Sequence, residues 1–238
     1  MALPIANVAQ YELTLPSQQK KIKYRPFLVK EEKILLMALE TQKPEDMLEA
    51  VKNIVKSCTF NEINPEDYPM FDLEYIFLQI RAKSVGEISK IKVLCPDDKK
   101  TYEKVEVDLS KVEVYVEDDH SNNIVLDEDR KLGILLKYPS LKIINTGILT
   151  GDVKLAQMYE LIVNSIEQIY EGDKVHMAKD TDKKELDDFV NNLSGEQMRK
   201  IQSFFETMPR LEQKIKVTNS KTKVESEVTL KGLADFFG

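Results

Sequence analysis

KIKVLCPDDKKTYEKVEVDL (residues 90–109) and KIKVTNSKTKVESEVTL (residues 214–230) carry one plan twice. Each starts Lys-Ile-Lys-Val, passes a polar tip and returns through a strand ending Val-x-Leu. Alternation with a period of two predicts antiparallel strands with one apolar face. Ile91 and Val93 lie on that face in the first copy, and Ile215 and Val217 in the second. Only the tip differs, by three residues. The likeness fits either a duplication or chance repetition of a common hairpin pattern.

The first tip holds Cys95-Pro96, the opening of many zinc knuckles. A C-x-x-C pair would place its second thiol at 98, which is Asp98, and the matching tail positions are Asn219 and Thr222. Tetrahedral zinc wants four good donors, and neutral Asn and Thr are poor ones. The two histidines, His120 and His176, lie in neither tip. The hairpins therefore resemble knuckle halves without the metal ligands, and no metal or other cofactor is expected. Pro96-Asp97 is also good turn chemistry by itself. Cys95 is expected at the surface, where replacement by serine would matter little. If the halves descend from one knuckle pair, the tips should face each other, Cys95 and Asp98 opposite Asn219 and Thr222.

Outward from these hairpins the pattern is α+β. A third hairpin is predicted at about 11–25, with Pro16-Ser17 at its turn. Helical spacing predicts helices at about 30–40, 44–58, 70–83, 152–171, 182–193 and 195–208. Ile34, Leu35, Ala38 and Leu39 form the inward stripe of the first, and Cys58 continues that of the second. Gly172 fits a helix stop, and Ser194…Gln197 a capping box. NIVL (123–126) and LGILLKYP (132–139) read as short strands, EDDHSNN (117–123) as a solvated acidic turn, and the segment around His176 as a polar linker. The whole, 1–238, reads as one α+β domain, helix-rich over 27–86 and 150–208 and hairpin-rich over 87–138 and 210–231.

The function classes narrow by composition. Net charge is −7 among 238 residues, which argues against nucleic-acid binding through bulk charge. No apolar run reaches the ~18 residues of a membrane span, and the start lacks a basic region before an apolar stretch, so no signal peptide is expected. Two cysteines 37 apart suggest free thiols in a reducing cytoplasm. No G-x-S-x-G, H-E-x-x-H, Walker or G-x-G-x-x-G motif occurs. An enzyme with an unrecognised carboxylate pair remains as an alternative, since an acidic chain offers many such pairs. The residue types favoured at protein interfaces cluster in KYRPF (Tyr24, Arg25, Phe27) and at the C-terminus (Leu233, Phe236, Phe237), which makes these the candidate partner-binding residues. The competing reading docks the phenylalanines on the domain's own core.

Several stretches carry a resemblance: YELTLPSQQKKIKYRPFLVKEEKILLMALE (11–40), FDLEYIFLQIRAKSVGE (71–87), the CPDD hairpin, GILLKYPSL (133–141), SIEQIYEGD (165–173) and FFETMPRLEQKIKV (204–217). In this order they resemble the T-even-type phage baseplate family, which includes baseplate hub subunits and hub assembly chaperones, and most closely the versions in marine T-even-like phages. The resemblance implies a non-enzymatic structural or assembly protein that forms the tail baseplate hub. Its partners would be hub proteins, and its place the host cytoplasm during assembly and the virion baseplate. An alternative of the same biology is a tail assembly chaperone that binds the tape-measure protein.

Overall fold

A computed structural model describes residues 7–41, 43–143 and 155–237. The chain, read above as one domain, divides into two compact units: Met1–Tyr115 with Arg210–Gly238, and Val116–Pro209. The fold is α+β, with all sheets small and antiparallel.

The first unit opens with hairpin β1 (Tyr11–Thr14) and β2 (Lys21–Tyr24). Helices α1 (Val29–Thr41), α2 (Pro44–Cys58) and α3 (Met70–Val85) follow. Pro44 suits the start of α2 because the first helical N–H groups have no intrahelical acceptor. Gly86 ends α3 at φ +115°, a conformation that penalises a Cβ. Hairpin β3 (Ile88–Leu94) and β4 (Tyr102–Asp108) then pairs Ile91 with Val105. The short strand β5 (Glu113–Tyr115) lies beside β10 (Arg210–Thr218), which pairs on its other side with β11 (Glu225–Lys231). Helix α7 (Gly232–Phe237) closes the unit. One core joins α3 to both repeated hairpins: Leu78, Ile91, Val93, Val107, Val217, Leu230 and Phe236 are all buried in it.

In the second unit, β6 (Asn123–Asp127), β7 (Leu132–Leu136), β8 (Ile166–Glu171) and β9 (Lys174–Met177) form one sheet in that order. Helices α4 (Leu155–Ser165), α5 (Lys183–Asn191) and α6 (Gly195–Glu206) cover its core, in which Ile134, Leu136, Ile162, Ile166, Ile201 and Phe204 are buried. Ser194 and Gln197 form the reciprocal capping box at α6. Gly133 passes under Tyr170, whose hydroxyl would lie 2.2 Å from a Cβ there. The Ile124 carbonyl oxygen, a backbone atom 2.8 Å from the same Cβ, makes a side chain here costly even if Tyr170 turns away.

Four sequence expectations change here. The helix expected over 152–171 ends at Ser165, and residues 166–171 are strand β8 (152–154 lie outside the described residues). Ile166, Ile169 and Tyr170 suit a strand as well as a helix, and pairing with β7 and β9 decides between them. Gly172 is a positive-φ turn residue, as a helix stop would be, but it turns the chain from β8 into β9. His176 accordingly sits in a strand opposite Ile169, not in a linker. Helix α1 is also not amphipathic in the expected sense. Ala38 is buried, but Ile34 and Leu39 are exposed.

Candidate functional site

The three hairpins of the first unit turn by the same backbone device. At the first tip the Leu15 N–H donates to Lys20 O (2.8 Å) and Leu15 O accepts from the Gln19 N–H (2.9 Å), with Gln19 at φ +54°. At the second, the Cys95 N–H donates to Thr101 O (2.8 Å) and Cys95 O accepts from the Lys99 N–H (3.0 Å), with Lys99 at +52°. At the third, the Asn219 N–H donates to Val224 O (3.0 Å) and Asn219 O accepts from the Lys223 N–H (2.9 Å), with Lys223 at +64°. Leu15, Cys95 and Asn219 are thus equivalent positions, and all three are buried.

The second and third tips meet, but through Asp97 and Glu103 and not through the expected Cys95 and Asp98. The Asn219 amide donates to both oxygens of Asp97 (3.0 and 3.1 Å), and the Thr222 hydroxyl donates to Asp97 Oδ2. The Ser220 N–H donates to Glu103 Oε1 at 2.8 Å. The bonds from Asn219 and Thr222 hold the Asp97 carboxyl below its usual range. Asp98 turns inward to its own tip, accepting from the backbone N–H groups of Lys100 and Thr101 (3.0 Å each) and the Thr101 hydroxyl. Polar groups thus hold the two tips together. Among the described residues, no group of three or more His, Cys, Asp or Glu could hold a metal ion.

Cys95 corrects the expectation of a surface thiol. It is 1% exposed and packs in the core beneath the tips. Cys95→Ser is therefore expected to lower the urea midpoint, since it places a hydroxyl in an apolar setting. Cys58 is a buried core residue whose thiol is pushed up to about 11, first by burial. That is the opposite of what a nucleophile needs.

The KYRPF segment works inward. Tyr24 is buried against Tyr11, with ring centroids 5.6 Å apart. Burial, then Tyr11, pushes its hydroxyl up to about 12. Arg25 donates to Glu31 Oε1 (2.9 Å) and to Ser57 Oγ (3.0 Å), and Ser57 Oγ donates to the same carboxylate oxygen (2.7 Å). Glu31 Oε2 accepts the Leu28 N–H at 2.8 Å, a carboxylate reaching back over the start of α1. Burial alone would raise the Glu31 pKa. The bonds from Arg25, Ser57 and Leu28 outweigh it and hold the group at about 2. The pair is enclosed, with side-chain exposures of 12% and 2%. Phe27 is half-buried, its N–H bonded to Ser84 Oγ at 2.9 Å.

The C-terminal candidates are mostly internal. Phe236 is fully buried, and its carbonyl accepts from the Ser89 hydroxyl (2.9 Å). Leu233 is half-buried, and its N–H reaches Glu74 Oε1 at 3.3 Å. Burial pushes Glu74 up to about 7 against that one bond. The Phe237 side chain lies outside the described residues. The core reading therefore describes Phe236 in the free chain.

What is left uncovered is α1. Beyond the Arg25–Glu31–Ser57 anchor, only Ala38 of this helix is fully buried, while Leu28, Val29, Ile34, Leu36, Met37 and Leu39 are all exposed. Its central turns, Ile34 to Leu39, put apolar side chains on every face, a pattern normally enclosed on all sides. The sequence signal was present in KILLMAL (33–39), but periodicity cannot say which faces stay open.

Among the described residues, the second unit shows no run of exposed apolar side chains like that of α1. His120 is not in a solvated turn. It stacks on Phe204 (5.3 Å) and Tyr138 (5.7 Å), with its nitrogens 2.9 Å from Thr207 Oγ1 and Tyr138 OH. Burial lowers its pKa, and the ring knits β7's exit to the end of α6. A groove of about 470 Å³ between α4 and α5 is lined by Tyr159, Val163, Val190 and the loose ion pair Lys183–Glu160 at 3.5 Å.

The exposed apolar side chains of α1 are therefore the candidate partner surface of the first unit. The family model described as T4 bacteriophage base plate protein matches residues 8–238. The chain belongs to that family, and so to the structural and assembly proteins of the phage tail baseplate. No curated protein and no solved structure matches it. Among the described residues, no helix is long and apolar enough to cross a membrane.

Proposed function

We propose that the chain is a non-enzymatic protein of baseplate hub formation that binds hub proteins through α1 in the host cytoplasm during assembly. The observation that carries this reading is the uncovered apolar helix in a member of a baseplate family. Exposed apolar surface of this extent marks an interaction site. In this reading the KYRPF residues have two tasks. Tyr24 and Arg25 fix the start of α1 from inside, and Phe27 extends the apolar surface at its margin. Leu233 and Phe236 hold the C-terminal helix against the core, a supporting role.

Co-purification with hub proteins and with tape-measure protein tests the reading. Retention of hub proteins, lost in Leu36→Glu/Met37→Glu with native circular dichroism, is expected. Retention of tape-measure protein alone would overturn it in favour of a tail assembly chaperone. Proteomics of purified virions separates a resident hub part from a transient chaperone.

A further inference from the structure

Helix α1 carries a charge pattern that complements itself. One face of the helix presents Val29, Lys33, Leu36, Met37 and Glu40: Lys33 lies three and four residues before Leu36 and Met37, and Glu40 four and three after them. All five are exposed, with Val29 at 66% and Met37 at 67%. The opposite face holds the buried Glu31 and Ala38. Leu36 and Met37 sit at the centre of the stripe. Lys33 precedes Leu36 by three positions, and Glu40 follows Met37 by three. No ion pair engages Lys33 or Glu40 among the described residues.

We infer that α1 pairs antiparallel with α1 of a second copy, about a twofold axis between Leu36 and Met37. In that arrangement each Lys33 meets Glu40 of the other copy, and Leu36 packs on Met37. A twofold contact is self-complementary in this way, residue i on j and j on i. Parallel pairing sets Lys33 on Lys33 and Glu40 on Glu40, which repels. The sign pattern therefore selects the antiparallel pair. Its size sets its strength. The helix has 13 residues and is about 20 Å long. A standard interface uses roughly 20–30 residues on each side, so a contact between two 13-residue helices falls in the small, transient class and depends on concentration.

The inference rests on the reading of α1 as a binding surface and adds what covers it before a baseplate partner arrives. Two copies shield each other's apolar helix, and a hub protein that binds the same face competes with the pair by mass action.

Sedimentation equilibrium of the full chain across the micromolar range tests this. The mass is expected to rise from 27.4 kDa towards twice that value. Lys33→Glu and Glu40→Lys should each weaken the pair about tenfold or more, by placing like charges opposite each other. An equimolar mixture of the two variants should pair again, because one copy is then acidic at both positions and the other basic. Leu36→Glu should leave a monomer. A wild-type chain that stays monomeric, or charge variants that pair as tightly as wild type, overturns the inference. Hub-protein retention measured on the same samples keeps the two readings apart. A monomer that still retains hub protein through α1 sinks the self-pairing alone, while a chain that pairs with itself and ignores hub proteins sinks the proposed function alone.

Discussion

Replacing Glu31 with glutamine removes one charge from the pair that anchors α1 and leaves the Arg25 guanidinium enclosed without a carboxylate. The wild-type carboxyl is held at about 2, against an ordinary 4.5. At ~1.4 kcal/mol per pH unit, that difference corresponds to a ceiling of about 3 kcal/mol. Breaking a buried pair by removing one partner costs ~3–5 kcal/mol. Glutamine keeps the size and one accepting oxygen, and Arg25 retains some contact with water, so we expect a loss of about 2 kcal/mol at pH 7. With a urea slope of ~1–3 kcal/mol/M, the midpoint should fall by about 1 M. The chain has no tryptophan, so far-UV circular dichroism is the suitable probe, and with two units the transitions are fitted separately. The pH dependence is the sharper readout. A carboxyl with a depressed folded pKa stabilises fully above its unfolded pKa and loses that contribution as pH falls through the folded value. The gap between wild type and Glu31→Gln should therefore shrink from pH ~5 down to ~2. Arg25→Met with Glu31→Leu should recover much of the loss, because the buried charges go together. A gap under ~0.5 kcal/mol at pH 7, or one of equal size at pH 7 and pH 2.5, would refute the anchoring role.

The remaining expectations concern the C-terminal helix and the facing tips. Asn219→Cys should form a disulfide with Cys95 under mild oxidation, which requires Cα atoms within ~7 Å; non-reducing electrophoresis after proteolysis reads the linked peptides, and their absence in a variant whose Cys95 is open to alkylation would mean the tips do not meet in solution. Glu74→Gln should stabilise the protein at pH 8, because the burial-raised Glu74 makes the folded state lose stability as pH rises from about 4.5 to about 7. The gain should vanish near pH 4, and a gain of the same size at both pH values would contradict the burial argument. Phe236→Ala should cost ~3–5 kcal/mol as a large side chain deleted from a core, measured by urea denaturation; a loss below ~1 kcal/mol would return Phe236 to the list of surface residues.

Local pattern was enough for most of the backbone. A period of two in KIKV and its partner strand dictates a hairpin wherever it occurs, because alternate side chains of a strand point to opposite faces. Helical spacing placed α2, α3, α5 and α6 near their observed bounds, and Ser194 and Gln197 marked a helix start by their own bonding. The shared plan of the middle and tail hairpins left open whether their tips meet, and the bonds from Asn219 to Asp97 decide it. The pattern went astray where partners decide. Ile166–Glu171 suits either conformation locally, and only β7 and β9 on its two sides make it a strand. Cys95 sits in a turn sequence typical of surfaces, yet it packs in the core that the middle and tail hairpins share. Arg25 and Phe236 looked like interface residues because burial and interfaces draw on the same residue types. Conversely, the apolar run of α1 looked like core, and the fold leaves it open. Backbone conformation follows from neighbours a few residues away, so it can be read along the chain. Burial depends on what packs from distant positions, so the uncovered helix emerged only with the tertiary structure.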